Sequence, residues 1–174
     1  MPRRERDRME PLPPADRQGL RPPETGLMKA TPSATSGLVI SGAGPAPAAA
    51  KVLVVSNDTF WKARIRAGLS DLAVSVDTVK NGSAAREWVK ANGEADTGRA
   101  CVVVIDTDLP DVAGPELAQE LRSPTVAPVL ACPSPTLADA VAALRCGASD
   151  LLTRTTPMRE LSRRVEAVID RVLQ

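Results

Sequence analysis

Three short stretches carry the side chains that can do chemistry. Val102 to Pro110 reads VVVIDTDLP: four apolar residues, then Asp106, a second acid at Asp108, then Leu109 and Pro110. Ser56, Asn57 and Asp58 follow the apolar run Lys51 to Val55, and Arg154 follows the run Asp150 to Thr153. A carboxylate that ends an apolar strand is either a working group or the point where the strand meets water, and the residues around it decide between the two. The chain has no histidine, which removes the serine, cysteine and metal hydrolases that depend on one. Cys101, Cys132 and Cys146 are widely spaced with no CxxC pair, so they read as core thiols rather than zinc ligands. No GxGxxG or GxxxxGK(S/T) pattern follows any strand-like run, so a glycine-rich phosphate cradle is lacking.

The elements that must position these groups start at Lys51. KVLVV at Lys51 to Val55 is a short β-branched run, and Trp61, Ile65, Leu69 and Leu72 at helical spacing predict a helix over 59–72, with Asp58 or Thr59 as its N-cap. A second strand is expected over 73–79, and Asn81-Gly82 leads into a helix from Ser83 to about Ala91. Residues 92–99 are polar and contain glycine, so they read as a loop. The third strand is expected at 100–105, a helix at 114–121, the fourth strand at 127–132 and a helix at 136–145 ended by Gly147. A fifth strand over 150–153 and an amphipathic helix over 157–173, with Pro157 in its first turn, complete the pattern.

Five strand–helix units whose strands are continuous apolar runs predict an α/β fold, a doubly wound five-stranded parallel sheet covered by helices on both faces. Ligands in such sheets sit at the carboxyl ends of the strands, where the strand order reverses. That places Ser56-Asn57-Asp58 beside Asp106.

The first fifty residues differ sharply from the rest. They hold nine of the sixteen prolines and little sustained apolar pattern, so residues 1–50 are expected to form a disordered tail ahead of a domain over 51–174. The arginines of MPRRERDRME are mixed with Glu5, Asp7 and Glu10, unlike an acid-poor transit peptide, and Gly37-Leu38-Val39-Ile40 is too short for a secretory core. No run approaches the roughly 20 apolar residues that span a bilayer, so a cytoplasmic protein without a membrane partner is expected. Met1 and Met28 both remain possible starts. Seven bases against five acids give the tail +2, and fifteen against sixteen give the remainder −1. A near-neutral domain lacks the electrostatic footprint of a nucleic-acid binder.

Over 51–174 the sequence resembles the receiver domain of two-component response regulators. The features that carry the resemblance are KVLVV at Lys51 to Val55, VVVIDTDLPDVAG at Val102 to Gly114, APVLA at Ala127 to Ala131 and ALRCGASDLLTR at Ala143 to Arg154, in that order and spacing. The resemblance implies a flavodoxin-like sheet of order 2-1-3-4-5 and a phosphorylation switch rather than an enzyme. Asp106 matches the phosphoacceptor, which takes a phosphoryl group from a histidine kinase or phosphotransfer protein with Mg²⁺ neutralising charge.

The supporting positions depart from the family pattern. Its acidic pair after the first strand falls on Ser56 and Asn57, and Mg²⁺ prefers anionic oxygen, so metal binding is expected to be weakened. The remaining metal candidates are Asp106, the Asn57 amide oxygen and the Asp108 backbone carbonyl, with Asp58, one position late, as a substitute if the loop shifts. The family's Thr or Ser falls on Cys132 or Pro133, leaving Ser134 as the nearest hydroxyl. Its lysine is replaced by Arg154, for which a bidentate pair with unmodified Asp106 is a natural outcome. Leu151 stands where the family's reporting aromatic would be.

Two readings follow. In the first the chain is a stand-alone phosphoacceptor receiver of a phosphorelay. In the second it is a pseudo-receiver, a binding module that is not phosphorylated. An unrelated small α/β enzyme or nucleotide binder is disfavoured by the missing phosphate cradle. Because the sequence ends after its fifth helix, output is expected by protein contact, with a downstream partner or a homodimer formed on the face of the last helices and strands.

Overall fold

The computed structural model describes residues 50–93 and 99–174. The expected tail therefore lies, apart from Ala50, outside the described residues, as does most of the 92–99 loop. Strands and helices alternate along the chain: β1 Ala50–Val55, α1 Thr59–Gly68, β2 Val74–Val79, α2 Gly82–Asn92, β3 Ala100–Asp106, α3 Gly114–Leu121, β4 Val126–Cys132, α4 Leu137–Cys146, β5 Asp150–Thr153 and α5 Met158–Leu173. All strand pairings are parallel and the order is β2-β1-β3-β4-β5, the doubly wound topology expected.

The continuous apolar strands are explained by burial on both faces. Val52, Val54, Val102, Val104 and Val129 point to one side, where Trp61 and Ile65 of α1 and Leu161, Val165 and Val168 of α5 cover them. Leu53, Val55, Val103, Ile105 and Leu130 point to the other, against Ala85 of α2, Leu117 of α3 and Ala143 and Cys146 of α4. Each fully buried Val, Leu or Ile contributes about 1.5–3 kcal/mol relative to exposure, so this double layer fixes the register of the three central strands.

Element boundaries follow capping chemistry. Asp58 caps α1 by accepting from the Trp61 N–H at 3.1 Å, Asn81 caps α2 by accepting from Ala84, and Thr136 and Asp139 form a reciprocal capping box on α4. Gly147 closes α4 at φ 71°, the left-handed conformation that a side chain resists. The helix expected over 59–72 is shorter than its apolar spacing suggests. It stops at Gly68, and Leu69, buried, begins a turn in which the Leu72 N–H donates to the Leu69 carbonyl. Leu72 reaches the same core from that turn, and periodicity alone cannot separate the two.

Candidate functional site

The carboxyl ends of β1 and β3 lie side by side, with Val55 paired to Ile105, so the next residues, Ser56 and Asp106, are neighbours. Both are buried, Asp106 being 3% exposed and Ser56 fully enclosed. The Ser56 hydroxyl donates to Asp106 Oδ2 and in turn accepts from the Asp58 N–H at 3.0 Å. Arg154, one residue past β5, is anchored by its own N–H donating to the Cys132 carbonyl at 3.1 Å. Its guanidinium reaches across the strand ends and splits between two acids. Nη2 donates to Asp106 Oδ2 at 2.9 Å and Nη1 donates to Asp58 Oδ2 at 2.6 Å.

This differs from the bidentate Arg154–Asp106 pair that the sequence suggested. Asp58 spends one oxygen on the α1 N-cap and the other on Arg154. The single guanidinium is therefore a bridge between the start of α1 and the end of β3. It leaves Asp106 Oδ1 buried without a hydrogen-bond partner among the described residues, and Arg154 Nε likewise. Burial pushes the Asp106 carboxyl above its ordinary range, against the opposing pull of the Ser56 hydrogen bond and the Arg154 charge.

The other expected site residues stand further out. Asn57 is exposed at the β1–α1 turn. Asp108 is exposed too, and its backbone forms an isolated antiparallel bridge with Ala113. Ser134 is exposed beyond β4, and among the described residues no hydrogen bond joins it to Ser56, Asp58, Asp106 or Arg154. Cys132 is the buried last residue of β4, and burial, followed by the negative field of Asp139, Asp106 and Asp108, raises its thiol pKa. Among the described residues no group of three or more His, Cys, Asp or Glu side chains is placed to hold a metal ion.

The β3–α3 loop is held against the site by close backbone approach. Thr107 N–H donates to the Ala131 carbonyl and Gly114 N–H to the Thr107 carbonyl, each at 2.9 Å. A Cβ on Gly114 would lie 2.3 Å from the Asp106 carbonyl oxygen, so only glycine fits there. Asp111 of the same loop accepts from the Gly82 and Ser83 N–H groups at 2.9 Å each, tying the loop to the start of α2. Those bonds hold the Asp111 carboxyl below its usual range. Neither Ser56 as a hydrogen-bond donor nor Asp111 as a cap of another helix was anticipated from the sequence. Both contacts join residues distant along the chain and carry no local pattern.

A doubly wound sheet of order 2-1-3-4-5 with a buried aspartate at its switch point defines a flavodoxin-like α/β domain. The chain belongs to the response regulator receiver domain family, whose model matches residues 52–166. It is 36% identical over 121 residues to the transcriptional regulatory protein CutR of Streptomyces coelicolor, covering 68% of this chain and 52% of that protein. The match to CutR of Streptomyces lividans has the same extent, so the chain spans about half the length of these curated relatives. The CheY-like receiver domain of Methanospirillum hungatei JF-1 superposes with a TM-score of 0.61 at 18% identity, over 71% of this chain and 95% of that one. A receiver domain from Clostridium thermocellum gives 0.61 at 22% identity, over 70% and 95%. At these identities the solved structures speak for the fold. Receiver domains are generally non-enzymatic modules of two-component signalling that interact with histidine kinases or phosphotransfer proteins and with downstream effectors, and typically bind Mg²⁺ at an acidic site. No helix among the described residues is long and apolar enough to cross a membrane.

Proposed function

We propose that this chain is a pseudo-receiver: a receiver-type signalling module in which an internal guanidinium stands in for the metal and Asp106 is held rather than phosphorylated. The observation that carries this reading is the Arg154 bridge, 2.6 Å to Asp58 and 2.9 Å to Asp106. Mg²⁺ requires several hard oxygen ligands in near-octahedral geometry at about 2.0–2.1 Å. Here Asp106 Oδ2 already takes two donors, both Asp58 oxygens are engaged, and Ser56 brings a hydroxyl where the family has an acid. The added cation also repels a second one. The donor set does not fit the ion.

A working phosphoacceptor has one observation in its favour, the unpartnered Asp106 Oδ1. That oxygen is buried, however, and a nucleophile must reach its phosphodonor. With the acid occupied, the domain transmits through contact with other proteins, and what alters its state is a partner that opens or closes the Arg154 bridge.

Beryllofluoride with Mg²⁺, the usual mimic of an acyl phosphate, tests the reading by amide NMR titration. Spectra that stay unchanged at millimolar concentrations are expected. Saturable shifts around β3 that vanish in the Asp106→Asn variant would overturn it.

A further inference from the structure

We infer that Arg64 is a positioning residue for this site: from α1 it fixes the main chain that carries Arg154 and thereby keeps the guanidinium on its two carboxylates. The inference rests on the bridge reading above and deepens it.

Arg64 is half-buried in the middle of α1. Its guanidinium donates through Nη1 to the carbonyl of Arg154 and through Nη2 to the carbonyl of Thr156 at 2.8 Å. One planar fork thus holds two carbonyls two residues apart, a task for which a point-like ammonium is poorly shaped. The same turn is stitched internally. Thr153 N–H donates to Thr156 Oγ1 at 3.1 Å, and the hydroxyls of Thr153 and Thr155 lie 2.9 Å apart. The β4 side is secured by the Arg154 N–H on Cys132, and the α1 side by Arg64.

Arg154 is therefore held by α1 at both ends. Asp58, the N-cap of α1, takes the guanidinium, and Arg64, farther along α1, takes the peptide carbonyl. Helix α1 is also packed against α5, Trp61 and Ile65 sharing one buried core with Leu161, Val165 and Val168. Hydrogen-bond geometry makes the arrangement sensitive. A main-chain displacement of about 1 Å takes the 2.9 Å contact from Arg154 to Asp106 beyond hydrogen-bond range. Arg64 touches none of the carboxylates yet governs whether Arg154 reaches both.

Nitrogen-detected NMR of arginine side chains in the full chain separates this role from simple stapling of α1 to the turn. An Arg154→Met variant assigns the Arg154 signals. In the native chain the Arg154 Nη protons are expected to be resolved and slowly exchanging. In Arg64→Ala they should merge and exchange about tenfold faster, the change that loss of one charge-assisted hydrogen bond produces. The Trp61 and Trp88 indole signals, which report the fold, should stay native, and Arg64→Lys should restore only part of the protection. Should Arg64→Ala fail to fold, Arg64→Met, which keeps the apolar stem and has no donor, is read in the same way. Arg154 signals that remain resolved and protected without Arg64 would overturn the positioning role while leaving the bridge intact. Signals already merged in the native chain would overturn the bridge itself.

Discussion

Removing the Arg154 guanidinium while keeping its stem, in Arg154→Met, tests whether the bridge holds the domain together at neutral pH. The variant loses one donor to each acid. The Asp58 arm joins a guanidinium side chain 31% exposed to a carboxylate 36% exposed, and a pair this open to water contributes about 0–1 kcal/mol. The Asp106 arm ends on a carboxylate only 4% exposed. Stranding a buried charge costs about 3–5 kcal/mol, reduced to about 2 because the guanidinium is one-third exposed and water can enter behind it. The expected loss at pH 7 is therefore about 2–3 kcal/mol, a fall in Tm on the order of 10 °C for a domain of this size.

The pH dependence of that loss carries the diagnosis. Asp106 already titrates above its ordinary range because of burial, and removing Arg154 takes away two influences that lower it. Its folded-state pKa rises further in the variant, so the protonated acid is favoured and the cost of Arg154→Met shrinks as pH falls below the raised value. Urea unfolding of both proteins at pH 7 and near pH 4.5 measures the difference. In an Asp106→Asn background the same substitution should cost less than about 1 kcal/mol, because no buried charge is left behind. A loss that is independent of pH and additive with Asp106→Asn would mean that Arg154 contributes packing alone and would refute the bridge.

Three further outcomes follow from the same geometry. Asp106→Asn should gain on the native chain as pH rises: the raised Asp106 pKa means that the native chain's stability from this group is complete below the ordinary carboxylate value and is lost as pH passes the folded value, whereas asparagine does not titrate; denaturation curves from pH 4 to 8 that keep a constant gap would contradict this. Ser56→Asp with Asn57→Asp puts one new carboxylate beside Asp106 and a second at the exposed β1–α1 turn; like charges about 4 Å apart at the buried position repel by about 4 kcal/mol at an effective dielectric of 20, so Tm should drop without metal and recover with millimolar Mg²⁺. A variant whose Tm ignores Mg²⁺ would count against the placement of those residues. Gly114→Ala should cost about 1–3 kcal/mol, since its Cβ meets backbone at 2.3 Å and 2.7 Å, and an unchanged urea midpoint would show that the loop can yield.

Much of the fold can be read from the chain because the parallel strands are apolar on both faces. KVLVV, ACVVVI and VAPVLAC admit few other roles, and Asp58, Asn81, Thr136 and Gly147 mark helix ends by chemistry that needs no partner elsewhere. The end of α1 was obscured because Leu72 is apolar at helical spacing while sitting in a turn. Asp106 was visible from its strand and the Leu109-Pro110 that follows. The division of Arg154 between two acids was not, since it depends on how far the end of β5 lies from the ends of β1 and β3, a distance set by strand order and twist. Ser56 illustrates the same limit. By residue type it registers as a lost acid, and only its position beside Asp106 makes it a donor to that carboxylate. Arg64 leaves no trace in the sequence at all, because its partners are carbonyl groups ninety and ninety-two residues away.

The central claim, that Asp106 is held rather than used, is tested most directly by incubating the full chain with acetyl phosphate and millimolar Mg²⁺ and recording the intact mass. An unchanged mass, with a conventional receiver domain labelled alongside, is the predicted result. A stoichiometric one-phosphate adduct that disappears in Asp106→Asn would contradict it.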